Sequence, residues 1–250
     1  MMYVDVHCHL DDAKFEGKIE SVIERARKAG VKAIINNGTN YASNQETLAI
    51  CGKYEIVKAA LGFYPLECKD MTDAQIDDDI GFIRKQKDRI IAIGEVGLDY
   101  HWDTSFVEKQ KQLFSRIIEL SEKIKKPLII HTRKAEKDAF EMLQSSRIKK
   151  ADFHCYGGSL KLAKKIFDAG YHFSIPPSIV RDKHFQDLAK TIPASHLMTE
   201  TDAPYLGPEK NKLNEPAFAV DGAKKIAELK GSTQEDMMNE LFMTYQRFFG

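Results

Sequence analysis

The sequence alternates eight times between a short apolar run rich in β-branched residues and a segment whose apolar residues have helical spacing. The runs occupy residues 3–6, 33–35, 56–61, 90–93, 128–130, 151–153, 171–175 and 197–199. In the first intervening segment, Ile19, Val22 and Ile23 show the helical spacing before Gly30. Eight such units in 250 residues, without a flexible linker, match the usual size of a (β/α)8 barrel. We therefore expect residues 1–250 to form a single-domain TIM barrel of the α/β class.

Local signals place several helix boundaries. Gly30 and Gly170 lie where helices should end before strands, because glycine readily adopts the left-handed conformation of a helix C-terminus. Thr72 and Gln75 have the spacing of a capping box at a helix start. The same spacing at residues 232 and 235 predicts a second capping box.

The chain from Asn214 onward predicts two more helices, at 216–230 and 233–249, with Asn214 as the cap of the first and Pro216 in its first turn. These helices should close the outer ring of the barrel. The rival α/β architecture, an open doubly wound sheet, usually carries a glycine-rich nucleotide-binding turn. Neither GxGxxG nor GxxxxGK[ST] occurs here, which favours the barrel.

Charge and composition exclude several classes of protein. Lys and Arg number 37 and Asp and Glu also number 37, so the net charge is zero and a polybasic nucleic-acid or lipid binder is excluded. Any phosphate recognition must come from a local patch. No apolar run approaches the roughly 18 residues of a membrane-spanning helix, and no leader pattern is present. We expect a cytoplasmic protein with no membrane partner and no obligate protein partner.

The four cysteines lie far apart and form no CxxC pair: Cys8, Cys51, Cys68 and Cys155. We expect reduced side chains and no disulfides. Cys8 and Cys155 each neighbour a histidine discussed below, so a role as metal ligands stays open for these two.

Side chains that can bind metal follow five of the predicted strands at their ends. They are His7, His9, Glu95, His131, His154 and Asp202. The carboxyl ends of parallel barrel strands converge on one face, where the active sites of this fold lie. His7 and His9 are two residues apart, so both imidazoles can point to the same side of a strand. The sequence therefore predicts that these six side chains share one mouth.

Six candidate ligands exceed the three or four that a single catalytic ion uses. We therefore expect two divalent ions about 3.5–4 Å apart with one carboxylate bridging them. Mixed imidazole and carboxylate ligands suit Zn²⁺, Mn²⁺, Ni²⁺ or Fe²⁺, and Mg²⁺ is also compatible. Such a centre activates water near neutral pH, which predicts a hydrolase.

The other four histidines share no strand-end position: His101, His172, His184 and His196. For most of them we expect surface exposure or ordinary packing. His101 follows Glu95 closely enough to be a candidate substrate contact.

Six short blocks surround the candidate ligands. They are VHCHLD at 6–11, GEVGLDY at 94–100, PLIIHTR at 127–133, HCYGG at 154–158, ETDAPYL at 200–206 and NEP at 214–216. In this order they resemble the TatD family of metal-dependent hydrolases, a branch of the amidohydrolase-like TIM barrels described as DNases. The resemblance runs through nearly the whole chain.

The resemblance implies a division of the ligands between two ions. His7, His9, Glu95 and Asp202 would hold one ion, and Glu95, His131 and His154 the other. By the same analogy Glu95 and Asp202 are catalytic, and Asp202 orients or deprotonates the attacking water. Glu200 would orient a metal ligand, although a solvated carboxylate near a strand end is an equal alternative.

Two positions depart from the family pattern. The family usually has Gly-x-His-Pro after its third strand, where this chain has Tyr64, and usually has an Arg before Asn-Glu-Pro, where this chain has Leu213. Losing an imidazole and a guanidinium weakens the expectation of a standard phosphate clamp. We expect Tyr64, Arg133 and His101 to contact the substrate.

The aromatic residues Trp102 and Phe106 follow Glu95 and are candidates for an apolar wall or a base-stacking platform, with loop packing as the alternative.

The leading functional hypothesis is a metal-dependent phosphodiesterase, a deoxyribonuclease acting on DNA ends or short nucleotides. An amidase, esterase or lactonase is the alternative within the hydrolases, because the same centre activates water for either electrophile. A metal-binding scaffold without catalytic activity is the third possibility. The sequence does not specify the oligomeric state.

Overall fold

The computed structural model describes residues 2–250 and confirms the (β/α)8 barrel. Its eight strands are β1 (Tyr3–Cys8), β2 (Val31–Asn37), β3 (Val57–Leu61), β4 (Ile90–Asp99), β5 (Leu128–Arg133), β6 (Ala151–His154), β7 (His172–Ile175) and β8 (Leu197–Thr199). Each strand pairs in parallel with the next one in the chain. All eight predicted apolar runs correspond to these strands.

Nine α-helices alternate with and follow the strands among the described residues. They are α1 (Ile19–Ala29), α2 (Tyr41–Lys53), α3 (Asp73–Lys85), α4 (Val107–Ile124), α5 (Glu136–Gln144), α6 (Leu160–Asp168), α7 (Lys183–Thr191), α8 (Ala219–Lys230) and α9 (Gln234–Phe249). Short 3₁₀ turns, such as Pro65–Asp70, lie in the connections. Within residues 2–250, no helix combines the length and the apolar character that crossing a bilayer requires.

The barrel closes between β8 and β1 through backbone and side-chain hydrogen bonds, including those from the Asp202 N–H to the His7 carbonyl and from the His9 N–H to the Ala203 carbonyl, both at 2.8 Å. One backbone bridge pairs Cys8 with Ala203, just beyond β8. The Asp5 carboxylate accepts hydrogen bonds from the Thr201 N–H at 2.8 Å and from the Thr201 hydroxyl at 2.6 Å. Asp5 is fully buried, and this burial raises its pKa well above the usual value. The bonds from Thr201 hold the end of β8 beside the first strand and so align the mouth.

The apolar core has two layers. Inside the barrel, the side chains of Val6, Ile35, Ile129 and Met198 pack on one another, and Phe248 of α9 joins them. A larger layer fills the space between the strands and the outer helices. Helix α9 therefore covers the amino-terminal end of the barrel, and the opposite end is left open to the functional groups.

The fourth strand extends beyond its predicted end. Residues 90–93 were the expected run, but β4 continues to Asp99. Gly97 pairs with His131 and Asp99 with Arg133, so backbone pairing with β5 carries the strand on after the apolar run has ended. Glu95 consequently lies within a strand and not after it.

Of the two predicted capping boxes, one is confirmed and the other is not. The capping box of Thr72 and Gln75 is confirmed at the start of α3. At the start of α9 the Thr233 side chain accepts a hydrogen bond from the Asp236 N–H at 3.1 Å. The box expected at residues 232 and 235 is therefore wrong by one position.

Asn214 does not cap a helix. Its side-chain amide donates to the carbonyl oxygens of Thr201, at 2.7 Å, and of Tyr205. The predicted helix at 216–230 begins as a 3₁₀ turn, Pro216–Phe218, before α8. Asn214 instead ties the loop after β8 to the last part of the chain.

Gly97 lies where β4 approaches β5 at the mouth. Its φ is +138°, and a Cβ at this position would collide with the carbonyl oxygen of His131 on β5. Gly97→Ala should therefore lower the free energy of unfolding by about 3 kcal/mol, because it adds both backbone strain and overlap. Urea unfolding followed by circular dichroism would measure the change.

Gly81, inside α3, is the matched control. A Cβ there meets nothing within 4 Å. Gly81→Ala should raise the free energy of unfolding by about 0.5–1 kcal/mol through helix propensity. Equal effects of the two substitutions would show that the close approach of β4 and β5 imposes no constraint.

Candidate metal centre

The carboxyl ends of the strands surround a cavity of about 1370 Å³. The six predicted ligands come together at its floor, from β1, β4, β5, β6 and the loop after β8. Five of them line the cavity directly: His9, Glu95, His131, His154 and Asp202. His7 lies beneath them and is fully buried.

Glu95 occupies the centre of the group. Its Oε2 lies 3.5 Å from His7 Nε2 and 3.4 Å from His9 Nε2. Its Oε1 lies 2.9 Å from His131 Nδ1 and 3.2 Å from His154 Nε2. The two oxygens of one carboxylate thus face two different pairs of imidazoles, which is the arrangement that a bridging ligand requires.

Asp202 approaches the same group from the opposite rim. Its Oδ1 lies 3.8 Å from His7 Nε2 and 3.5 Å from His9 Nε2. The Asp202 N–H donates to the His7 carbonyl at 2.8 Å, and a φ of +53° turns its side chain toward the cavity. His154 is also within ligand distance of Asp202, so this carboxylate faces imidazoles of both pairs.

The potential ligand atoms form three overlapping sets, and the atoms within each set lie within 4.8 Å of one another. The sets are His7 with His9 and Glu95, His7 with His154 and Asp202, and Glu95 with His131 and His154. Two ligands held about 2.0–2.1 Å from a tetrahedral ion lie about 3.3 Å apart. The separations between Glu95 and its four imidazoles bracket this value.

The outward nitrogens of two imidazoles are held by acceptors. His9 Nδ1 lies 2.9 Å from the Asn37 carbonyl oxygen, and His131 Nε2 lies 2.9 Å from Asp99 Oδ2. A proton on each outward nitrogen leaves the lone pair of the other nitrogen directed at Glu95. This is the tautomer of a metal-binding histidine, so the donor set fits divalent cations.

Burial and close pairing perturb the titration of these groups. Burial opposes the ionisation of Glu95, but hydrogen bonds from His131 and His154 outweigh it and hold the pKa well below the usual value. Burial also opposes the charged form of His9, yet Asp202 and Glu95 raise its pKa to about 9. Without a cation, protons on the imidazoles therefore compensate the two carboxylates.

Glu200 is buried beneath His154. Its Oε1 accepts the Cys155 N–H at 2.9 Å, and its Oε2 lies 2.6 Å from Ser174 Oγ and 3.6 Å from His154 Nδ1. The alternative of a solvated carboxylate is therefore wrong. Burial and the charge of Glu200 also raise the pKa of neighbouring Asp152 to about 7.

Sequence reasoning assigned no role to Asp99. Its Oδ2 lies 2.9 Å from His131 Nε2 and accepts the Tyr64 hydroxyl at 2.7 Å. Burial opposes ionisation of Asp99, but these two hydrogen bonds lower its pKa to about 2. Once β4 is extended to Asp99, residues 95, 97 and 99 share a face of one strand, and this alternation identifies Asp99.

The Tyr64 hydroxyl is therefore directed at Asp99. Burial and its bond to Asp99 raise the pKa of this phenol, so it stays protonated and donates. Tyr64 also lines the cavity. Its observed contact supports the carboxylate behind His131, which is a different contact from the one expected with substrate.

Of the other residues proposed to contact substrate or form the wall of the site, some line the cavity and others do not. Arg133 and Trp102 both line the cavity, with the guanidinium 5.0 Å from the centre of the indole. His101 is exposed and packs edge-on against Trp102, outside the residues that line the cavity. Phe106 packs against the outer core instead. His184 reaches the rim, where its Nε2 lies 3.0 Å from the Tyr156 carbonyl oxygen.

All four cysteines are free. Cys8 is buried behind the ligands, with its Sγ 3.6 Å from the Ile35 carbonyl oxygen, and Cys155 lines the cavity. Among residues 2–250, neither joins a cluster of potential metal ligands. The hypothesis of a cysteine ligand therefore receives no support from the geometry.

Comparison with known proteins gives one consistent result. A family model described as TatD related DNase matches residues 4–250. The human protein named deoxyribonuclease TATDN3 is 33% identical over 246 residues, which cover 94% of this chain and 90% of that protein. The metal-dependent hydrolase YabD of Bacillus subtilis is 32% identical over 99% of both chains. The crystal structure of YJJV, a TatD homologue from Escherichia coli, superposes with a TM-score of 0.92 at 26% identity, covering 99% of this chain and 97% of the other.

Metal binding should release protons. At pH 7 His9 is protonated in the metal-free protein, because its pKa is raised to about 9, and the pKa of His154 is raised as well. A cation must displace these protons, and the pKa of His131 is raised too, so we expect release of more than one proton at pH 7 and an affinity that keeps rising to at least about pH 9. Calorimetric titration with Mn²⁺ in buffers of different ionisation enthalpy would measure the release. Binding without proton release would contradict the ion pairing described above.

Tyr64→Phe should weaken the ligand position of His131. The substitution removes one donor from Asp99, so His131 is oriented less firmly and metal affinity at the Glu95, His131 and His154 set should fall about tenfold. Competition with a chelating dye would report it. Tyr171→Phe is the control, since Tyr171 contributes a buried hydroxyl far from the mouth, 3.3 Å from the Leu143 carbonyl oxygen. Unchanged metal affinity in Tyr64→Phe would show that Asp99 needs no second donor.

Proposed function

This chain belongs to the TatD family of metal-dependent hydrolases, and on that premise we propose that it is a phosphodiesterase acting on DNA ends or short nucleotides. One observation supports the proposal above the others. The Glu95 carboxylate directs its two oxygens at two separate pairs of imidazoles, as a ligand shared by two cations does. Such two-metal sites stabilise both the attacking and the leaving oxygens of a displacement at phosphorus.

We propose two divalent ions, of the group Zn²⁺, Mn²⁺, Ni²⁺, Fe²⁺ or Mg²⁺. His7, His9, Glu95 and Asp202 would hold one, and Glu95, His131 and His154 the other. When bound, such ions supply an acidified water, with a pKa lowered from about 15.7 toward about 7, and stabilise negative charge on phosphate oxygens. The predominance of imidazole among the ligands favours the borderline ions over Mg²⁺.

Asp202 is the carboxylate best placed to handle the proton of the attacking water. About 17% of its side chain is exposed, against 5% for Glu95, so it faces the cavity where water and substrate meet. Burial opposes its ionisation, but the hydrogen bond with His9 outweighs this and keeps its pKa below the usual value. Asp202 is therefore ionised near neutral pH and can accept a proton.

The substrate side of the proposal rests on Arg133 and Trp102. The Arg133 guanidinium offers several donors to phosphate oxygens beside the metal ligands. The Trp102 side chain is 63% exposed and presents a flat apolar surface on which a base can stack. Tyr64 and His101 remain proposed substrate contacts; Tyr64 lines the cavity, although its hydroxyl donates to Asp99. A cytoplasmic location stays a prediction that rests on the four free cysteines.

One observation favours attack on a carbonyl instead. Leu213 stands where the family usually has an arginine; 43% of its area is exposed, and it lies outside the residues that line the mouth cavity. The absence of that guanidinium removes one cation that could bind a phosphate, and so suits the neutral carbonyl of an amide, ester or lactone. This second candidate shares the metal centre and differs only in the electrophile.

Glu95→Gln and Asp202→Asn should each reduce turnover by about a thousandfold or more, because each replaces an anionic ligand of the proposed cations by a neutral amide, and Asp202→Asn also removes the proton acceptor. The measurement is steady-state hydrolysis of bis(p-nitrophenyl) phosphate and single-stranded DNA by metal-loaded protein, with p-nitrophenyl esters and anilides in parallel. Glu119→Gln, on the exposed face of α4, is the matched control and should retain full activity.

Each outcome selects one hypothesis. Hydrolysis of both phosphodiesters, lost in the two centre variants, supports the proposal. Hydrolysis of esters or anilides alone selects the carbonyl alternative. No turnover of any substrate at full metal occupancy would select the non-catalytic scaffold, and wild-type activity in either centre variant would refute the site.

A further inference from the structure

The positive charge of the chain is concentrated in one segment. Residues 133–165 carry nine Lys and Arg against four Asp and Glu, although the whole chain is neutral. All nine of these basic side chains are exposed, and one of the four acids, Asp152, is buried inside the barrel. The segment comprises the end of β5, helix α5, strand β6 and most of helix α6. One flank of a neutral protein is therefore strongly cationic.

Intramolecular ion pairs leave most of this charge available. Lys137 lies 3.6 Å from Glu141, within one exposed helix. Across residues 2–250, no carboxylate lies within 4.0 Å of any of the other eight cationic groups. Exposed pairs of this kind are weak and exchange easily with other anions. The charge of the flank is thus free to act on a ligand.

Three of these lysines border a groove of about 630 Å³ between α5 and α6. Lys137 projects from α5, and Lys161 and Lys165 lie one turn apart on the same face of α6. Phe140 and Leu162 also line the groove and give it an apolar part. Glu141 and Asp168 border it as well, so the cations outnumber the anions.

The groove begins where the mouth of the barrel ends. Arg133 and Lys134 line the mouth cavity at the end of β5, immediately before α5. On the next connection, Gly157 lines the mouth and Ser159 lines the groove. A chain of phosphates leaving the metal ligands on this side meets five basic residues and one acid of the mouth lining, Glu136 at the start of α5.

The opposite rim of the mouth has the reverse charge. Asp11, Asp12, Glu46 and Glu67 line it, from the connections after β1, β2 and β3. A polyanion is repelled there and attracted on the α5 and α6 side, so the field of the mouth selects one direction of exit.

We propose that Arg133, Lys134, Lys137, Lys161 and Lys165, here called the basic track, bind the phosphate backbone of a single DNA strand beyond the bond that is cleaved. The inference rests on the proposed phosphodiesterase function. It gives the part of the DNA strand beyond the cleaved bond a binding surface, which the metal centre itself does not provide. Because the contacts are to phosphates, the track does not select a base sequence. The apolar part of the groove accommodates unstacked bases.

The test compares long and short substrates in one variant. Lys137→Gln, Lys161→Gln and Lys165→Gln are combined, and these three residues lie outside the mouth cavity. The matched control combines Lys28→Gln, Lys32→Gln and Lys87→Gln, three exposed lysines near the amino-terminal ends of the strands. KM and kcat are measured on a long oligothymidylate and on bis(p-nitrophenyl) phosphate, and binding of the oligothymidylate is measured separately by fluorescence anisotropy.

The track variant should raise KM and Kd for the long strand about tenfold at about 50 mM salt, and the difference should vanish near 200 mM. Its plot of log affinity against log salt should be shallower by about 2, since each lost phosphate contact on a single strand contributes about 0.7. The kcat on both substrates, and all parameters of the control variant, should match the wild type.

The outcomes separate this inference from the function on which it rests. Unchanged KM, Kd and salt slope in the track variant would overturn the basic track while the phosphodiesterase proposal stands. An equal loss in the control variant would also overturn it, because net charge alone would then explain binding. If the wild type cleaves no phosphodiester, the proposed function fails, and the anisotropy data still decide whether the track binds a strand.

Discussion

The structure depends on placing one carboxylate among four imidazoles in a buried position. Glu95 makes approaches of 2.9–3.5 Å to the nearest nitrogens of His7, His9, His131 and His154. Lone pairs this close repel one another unless positive charge lies between them, and an unpaired buried charge is costly. Protons supply that charge in the metal-free protein, and divalent cations supply it more effectively because each serves several ligands at once. The chemistry of the site follows from this electrostatic requirement.

The barrel meets the requirement by supporting three of the ligands from other strands or their ends. Asn37 at the end of β2 accepts from His9, Asp99 at the end of β4 holds His131, and Glu200 beyond β8 lies behind His154. These supporting groups come from different strands than the ligands they hold. A shift of one strand would therefore disturb the ligand of another, which explains why closure of the barrel by Asp5 and Thr201 matters to the site.

The sequence predicted the repeating units and the six converging side chains, because both follow from short-range patterns: apolar runs and the residues at their ends. It did not predict how far β4 extends, since residues 94–99 contain no apolar run and their pairing depends on β5. Asp99 was missed for the same reason. The side chains of Trp102 and Phe106 looked equivalent in sequence, but only tertiary packing shows that the first faces the cavity and the second faces the core. The sequence allowed the cap of α9 at residue 232 or at residue 233, and the hydrogen bond from the Asp236 N–H to the Thr233 side chain places it at Thr233.

The net charge could also be read from the sequence, but the distribution of charge over the surface could not. A sum of zero excludes long-range attraction of a polyanion to the whole protein, and it requires any phosphate recognition to be local. The fold supplies the local difference by bringing α5 and α6 together on one side of the mouth, and by placing Asp11 and Glu46 on the other. Within a Debye length of roughly 8 Å, a bound strand responds to the nearest side chains and not to the total. A neutral hydrolase can therefore orient a charged polymer at its metal centre, because the direction of its field matters more than its net charge.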